Sequence, residues 1–144
     1  CVGYAKANGE KSMEVWGSGK ATREFLYVDD CAQAIMLAME QYNEADPVNI
    51  GTGVETKIKD LIGLICELMG YNGEIIWNDE KPDGQPRRCL DISRAKKFGF
   101  TASTSLREGL EKTVEWCKDF HFYNKDVNEL LPTDKAYRSF SRKG

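Results

Sequence analysis

Apolar and polar residues alternate over Ser12-Met13-Glu14-Val15-Trp16, the period of a half-buried strand, and Gly17-Ser18-Gly19-Lys20 ends the run with turn chemistry. The period then lengthens. Ala34, Ile35, Ala38, Met39 and Tyr42 recur at helical spacing behind Asp29 and Asp30, which predicts a helix from about 30 to 42 with an aspartate at its N-cap. Val48-Asn49-Ile50 predicts a short strand closed by Gly51-Thr52-Gly53. Next, Ile58, Leu61, Ile62, Ile65, Leu68 and Met69 mark one face of a second helix, stopped by Gly70 in the left-handed conformation. Glu74-Ile75-Ile76-Trp77 reads as another strand, and Lys81-Pro82-Asp83-Gly84 as the turn by which the chain leaves the sheet. Asp91 or Ser93 can cap a short helix through Phe98 that closes at Gly99. Ser105 and Glu108 form a capping box that opens a last helix over about 106 to 119.

Few short strands alternating with about four helices predict an α/β fold rather than a sandwich or a bundle. The strands are too few for a complete doubly wound domain, and the pattern suits a small lobe docked on a larger one. Residues 1–120 are read as that lobe. Residues 121–144 are mostly polar, with Pro132 and a basic end in Arg138, Arg142 and Lys143, and read as a loosely held tail. The first residue is Cys1 rather than Met, which fits a piece of a longer chain.

Composition narrows the function classes. Hydrophobic residues make up 41% and charged residues 30%, an ordinary globular balance. No apolar run approaches the roughly 20 residues that cross a bilayer. A net charge of −3, without a basic stripe, argues against a nucleic-acid partner. The five cysteines (Cys1, Cys31, Cys66, Cys89, Cys117) are odd in number and scattered, so they read as free thiols of a reducing, cytoplasmic compartment. His121 is the single histidine and no pair has zinc spacing, so no metal site is expected.

The glycine loops invite a phosphate reading, and they fail it. Gly17-Ser18-Gly19-Lys20 has Glu14 and Ala21 where a Walker loop needs Gly and Ser or Thr. Gly51-Thr52-Gly53 is followed by Thr56 where a dinucleotide fingerprint needs a small third residue. A tight strand-to-helix turn is the simpler reading of the latter. A tyrosine with lysine four residues on, the acid/base pair of short-chain dehydrogenases, is also missing: the residues at that offset from Tyr4, Tyr27, Tyr42, Tyr71, Tyr123 and Tyr137 are Asn8, Cys31, Asp46, Ile75, Val127 and Ser141. Cys117 is one turn before His121 but lies on an apolar helix face, as a structural thiol does. What remains is a set of loop residues: Trp16, Arg23, Lys81, Asp83, Arg87 and Arg88. Guanidinium forks match phosphate oxygens, an indole face takes a sugar or base, and a carboxylate accepts from hydroxyls or ring N–H groups. This is an inventory for a nucleotide sugar. The ordinary alternative makes Arg87 and Arg88 a solvated charge pair and Trp16 a core plug.

Trp16-Gly17-Ser18-Gly19, then Arg23-Glu24-Phe25-Leu26-Tyr27-Val28-Asp29-Asp30, resembles the C-terminal part of extended short-chain dehydrogenase/reductases that act on nucleotide sugars. Val48-Asn49-Ile50-Gly51-Thr52-Gly53, Lys81-Pro82-Asp83-Gly84-Gln85-Pro86-Arg87-Arg88 and Leu90-Asp91-Ile92-Ser93-Arg94-Ala95 follow in the family's order and spacing. The Lys81 to Arg87 run, with the Trp16 motif, is most similar to the branch that epimerises GDP-4-keto-6-deoxymannose at C3 and C5 and reduces C4. The resemblance implies an N-terminal Rossmann domain, absent from this chain, that binds NADP(H) and carries a Ser-Tyr-Lys centre with a Cys and a His. Cys31 and His121 do not match those positions. This chain would then be the substrate-binding lobe, inactive alone, with no catalytic, cofactor or metal residue of its own, in an enzyme expected to be a homodimer. Carried over by position, Trp16, Arg23, Asp83 and Arg88 bind the GDP-sugar: Arg23 at the diphosphate, Arg88 and Asp83 near the nucleoside, Trp16 against the sugar or its phosphates. The same lobe from another nucleotide-sugar epimerase, dehydratase or reductase, and a non-catalytic nucleotide-sugar-binding module, are the rival readings.

Overall fold

A computed structural model describes residues 2–118. Its elements alternate as the sequence pattern suggests: α1 (Val2–Ala7), β1 (Ser12–Trp16), β2 (Thr22–Glu24), α2 (Val28–Gln41), β3 (Glu55–Lys57), α3 (Ile58–Met69), β4 (Glu74–Asn78), α4 (Ser93–Lys97) and α5 (Leu106–Cys117). The chain parts into two compact units, Cys1–Glu111 and Lys112–Gly144. The expected tail over 121–144, with His121, lies outside the described residues. So does Cys1.

β1 and β4 form a parallel pair in which Met13 faces Ile75 and Val15 faces Trp77. A parallel pair needs a long crossover, and the segment between the two strands supplies it with two helices. β2 and β3 form a separate antiparallel pair, with Arg23 opposite Thr56 and Glu24 opposite Glu55. Thr22 extends this pair by an isolated bridge to Arg87, which brings the segment after the Pro82-Asp83-Gly84 turn alongside β2.

Three sequence expectations are corrected. Val48-Asn49-Ile50 is not a strand; Val48 and Ile50 pack against a buried cluster of Ala34, Ala95 and Phe100 that also takes in Leu26, Leu37, Phe98 and Ala102. Burial of alternate side chains, not strand pairing, explains that apolar run. Neither Asp29 nor Asp30 caps α2, because the helix already starts at Val28, behind Tyr27. There are also five helices among the described residues, α1 being the one the pattern did not reveal.

Other local readings hold, save one cap. Gly70 ends α3 at φ 63°, its N–H bonded to Glu67 O and the next amide, that of Tyr71, bonded to Cys66 O. Ser105 Oγ accepts from Glu108 N at 3.2 Å ahead of α5, whereas the N-cap of α4 is Ile92, without a side-chain cap bond, so neither Asp91 nor Ser93 caps that helix and Asp91 Oδ1 only accepts from Ser93 N at 2.9 Å beside it. No helix among the described residues is long and apolar enough to cross a membrane.

Candidate functional site

The short β2 strand carries two charged residues on opposite sides of the pleat, and the two do different work. Arg23 Nη1 donates to its neighbour's carbonyl, Thr22 O, at 2.6 Å and to Gln85 O at 2.8 Å, which ties the guanidinium to the loop after Pro82-Asp83-Gly84. Together with Arg88, Leu26, Ile50, Gly51, Leu90 and Glu24 it lines a cleft of about 200 Å³. Arg88 is anchored by its backbone, whose N–H donates to Thr22 O at 3.2 Å. Its guanidinium takes no hydrogen-bond or ion-pair partner among the described residues.

Arg87 points its charge elsewhere. Its Nε and Nη2 both donate to Glu55 Oε1, at 2.8 and 2.5 Å, while Thr22 Oγ1 donates to Glu55 Oε2 at 2.7 Å. The adjacent arginines are therefore distinct: one completes a pair across the β2–β3 ladder, and the other faces the cleft. Both are exposed, as the solvated-charge alternative expects, but only Arg87 is tied to a protein carboxylate.

Glu24 is the residue that the sequence reading missed. Its Oε1 accepts from Gly53 N at 2.7 Å and from Thr52 Oγ1 at 3.4 Å, and its Oε2 accepts from Leu90 N at 2.8 Å. Burial pushes its carboxyl up, but the Leu90, Gly53 and Thr52 hydrogen bonds outweigh burial and hold it below the ordinary glutamate value. The Gly51-Thr52-Gly53 turn is thus filled by a protein carboxylate: a Cβ on Gly51 would lie 2.2 Å from Glu24 Oε1. A dinucleotide pyrophosphate would meet a carboxylate there instead of free amides, so these residues do not fit NADP(H).

Trp16 and Asp83 belong to a neighbouring loop pair rather than to the arginine cleft. Asp83 Oδ1 accepts from Ser18 N at 2.5 Å and Oδ2 from Ser18 Oγ at 2.6 Å. Those two bonds, the Ser18 hydroxyl first, hold the Asp83 carboxyl below its ordinary value. Trp16 ends β1 with 71% of its surface exposed, and Lys81 Nζ sits 5.5 Å from its ring centroid. Within this chain Trp16 is not the core plug of the alternative reading. One link joins the two halves: the Arg23 guanidinium lies against Gly84, next to Asp83.

A second, open hollow of about 630 Å³ is lined by Glu14, Ile76, Trp77, Asn78, Asp79 and Glu80. Its three carboxylates disfavour a phosphate there. Among the described residues no group of three or more His, Cys, Asp or Glu is placed to hold a metal ion. Cys31, Cys66, Cys89 and Cys117 are free thiols, and burial pushes the Cys66 and Cys89 thiols up, away from reactivity.

The profile of the NAD dependent epimerase/dehydratase family matches residues 3–51. A putative GDP-L-fucose synthase 2 of Arabidopsis thaliana is 46% identical over 112 residues, 78% of this chain and 34% of that protein. Two solved structures share the fold. A GDP-mannoheptose C4 reductase from Campylobacter jejuni with NADP bound has TM-score 0.68 at 30% identity, over 76% of this chain and 35% of its own. A UDP-glucose 4-epimerase from Thermotoga maritima with UDP-glucose has TM-score 0.72 at 33% identity, over 82% of this chain and 38% of its own. The chain spans about a third of the length of the relatives it matches. By sequence and by fold, the chain is similar to about a third of the length of GDP-L-fucose synthases, and its first third matches the NAD dependent epimerase/dehydratase family.

Proposed function

We propose that this chain is the substrate-binding lobe of a GDP-L-fucose synthase, and that its arginine cleft holds the diphosphate of a GDP-sugar. One observation carries the reading: Arg23 and Arg88 line the same cleft, and among the described residues the Arg88 guanidinium has no partner for its charge while Arg87 is spent on Glu55. Two guanidinium forks on one small cleft suit a pyrophosphate, which offers each a pair of oxygens. Trp16, exposed beside the Gly17-Ser18-Gly19 loop, offers an indole face to the sugar or base, and Asp83 holds that loop.

Catalysis and NADP(H) belong, on this proposal, to the part of such an enzyme that the chain does not span. The chain alone is then inactive. The filled Gly51-Thr52-Gly53 turn supports this division. So does α2, whose Val28, Ile35, Met36 and Met39 stay exposed as an apolar stripe of the kind a lobe carries when it works against a larger domain.

The test is calorimetric titration of the purified chain with GDP, UDP and NADPH. GDP is expected to bind more tightly than UDP, with NADPH weakest, and Arg88→Ala is expected to lower GDP affinity by about tenfold to a hundredfold, the range of a charge-assisted hydrogen bond. Equal binding of GDP and UDP would favour the same lobe from another nucleotide-sugar enzyme. GDP bound equally well by the Arg88→Ala chain would overturn the cleft assignment.

A further inference from the structure

Glu24 is a carboxylate in the wall of a cleft that is otherwise built for an anion, and it stands between the two arginines in the chain's connectivity. It follows Arg23 directly on β2. Through Oε2 it grips the amide of Leu90, two residues beyond Arg88, and through Oε1 it grips Gly53 and Thr52 of the glycine turn that forms the floor. Three segments distant in sequence meet on one side chain. A free carboxylate at this place would repel a diphosphate. Here both oxygens are turned onto amide donors, so the charge is consumed locally while the backbone around it is fixed.

We infer that Glu24 is a positioning residue for the diphosphate site: by clamping the Leu90 amide to the glycine turn it sets the distance between the Arg23 and Arg88 guanidiniums. The inference rests on the reading of the cleft as a GDP-sugar site. Gly51 is part of the same device, since any Cβ there would overlap the carboxylate.

The clamp requires the ionised carboxylate, because a protonated oxygen can no longer accept from both amides. Around Glu24 stand Arg23 on its own strand, Glu55 at the opposite position of β3 with Arg87 paired to it, and Arg88 and Cys89 on the segment that carries Leu90. The arginines keep their charge through the acidic range, and the Cys89 thiol is neutral there. Glu55 is the other carboxylate of this set, and the Arg87 hydrogen bond holds it low.

The experiment is a pH series of titrations with GDP-mannose, whose two phosphates each carry one ester and the shared anhydride bond and so keep a single strongly acidic charge as the pH falls. Wild-type affinity is expected to drop as the pH falls through the Glu24 carboxyl range, in step with the Gly53 and Leu90 amide resonances of the same chain. Glu24→Gln is expected to bind at least tenfold more weakly at neutral pH and to lose that acid limb, while Glu55→Gln keeps it. Arg88→Ala is expected to cost less in the Glu24→Gln chain than in wild type, the non-additivity of coupled residues. A role in stability alone would shift melting without moving the acid limb. Should Glu24→Gln not fold, the wild-type comparison of affinity with the two amide resonances decides by itself. Wild-type binding that ignores the Glu24 titration, or an acid limb removed by Glu55→Gln, overturns this inference alone. Wild-type failure to bind GDP-mannose at any pH overturns the cleft reading and this inference with it.

Discussion

Asp83 holds Ser18 with both carboxylate oxygens, one on the amide and one on the hydroxyl, across 65 positions of sequence. The contact closes the Gly17-Ser18-Gly19 loop over the turn at Pro82-Asp83-Gly84 and so fixes the surroundings of Trp16. Asp83→Asn leaves the shape but removes the charge and one acceptor. Faster hydrogen exchange at the Ser18 amide is expected, with no change in the melting of the remaining chain. Since the carboxyl is held low in the folded state, the contact is complete above the ordinary aspartate range and is lost as pH falls through the lowered value. The Ser18 amide resonance followed against pH checks the sign.

Gly17 allows that contact. Its φ is 86°, and a Cβ would lie 2.4 Å from Asp83 Oδ1, so Gly17→Ala combines a strained backbone with a direct overlap. A loss of about 1 kcal/mol or more is expected from the backbone conformation alone, measured by urea unfolding.

Asp30 acts on stability rather than binding. Only 2% of its surface is exposed, and it accepts from Ser103 Oγ at 3.0 Å, Thr104 N at 2.9 Å and Thr104 Oγ1 at 3.1 Å, which fastens α2 to the turn ahead of α5. Asp30→Ala leaves the half-buried Thr104 amide without its partner and is expected to cost about 2 kcal/mol. Burial raises its carboxyl, but the Thr104 and Ser103 bonds outweigh burial and lower it. The stabilisation is therefore present above the unfolded aspartate value and disappears as pH falls through the folded one. Melting temperature against pH should fall on the acid side in wild type and be flatter there in Asp30→Ala.

Gly51→Ala tests the carboxylate-filled turn. With 2.2 Å available between a new Cβ and Glu24 Oε1, either the turn or the glutamate must move. About 1 to 3 kcal/mol of destabilisation is expected, the range for overpacking, together with loss of protection at the Gly53 and Leu90 amides in hydrogen exchange.

How much of this was legible in the sequence differs by residue. The strand periods of Ser12–Trp16 and Glu74–Trp77 were legible because alternation is local, yet nothing local says that the two strands lie side by side and parallel. Gly70 was legible as a helix stop because a left-handed cap needs only its own backbone. Asp30 was misread as a cap because its partners, Ser103 and Thr104, are more than 70 positions away. β2 and β3 were missed because three residues each give no period. Among the site residues, Arg23 and Arg88 stood out as arginines on glycine- and proline-rich loops, and the fold brings them to one cleft. What separates Arg88 from Arg87 is register across from Glu55, a property of pairing that composition does not carry. The signal that could have found Glu24 is faint: a carboxylate in a short β-prone run, paired with a glycine turn too poor for a nucleotide.

The most direct measurement is a crystal structure of the chain grown with GDP. The account expects the pyrophosphate between Arg23 and Arg88, with Arg87 still on Glu55 and Glu24 still on the Gly53 and Leu90 amides. A pyrophosphate seated on the Gly51-Thr52-Gly53 turn, with Glu24 displaced from it, would contradict the account.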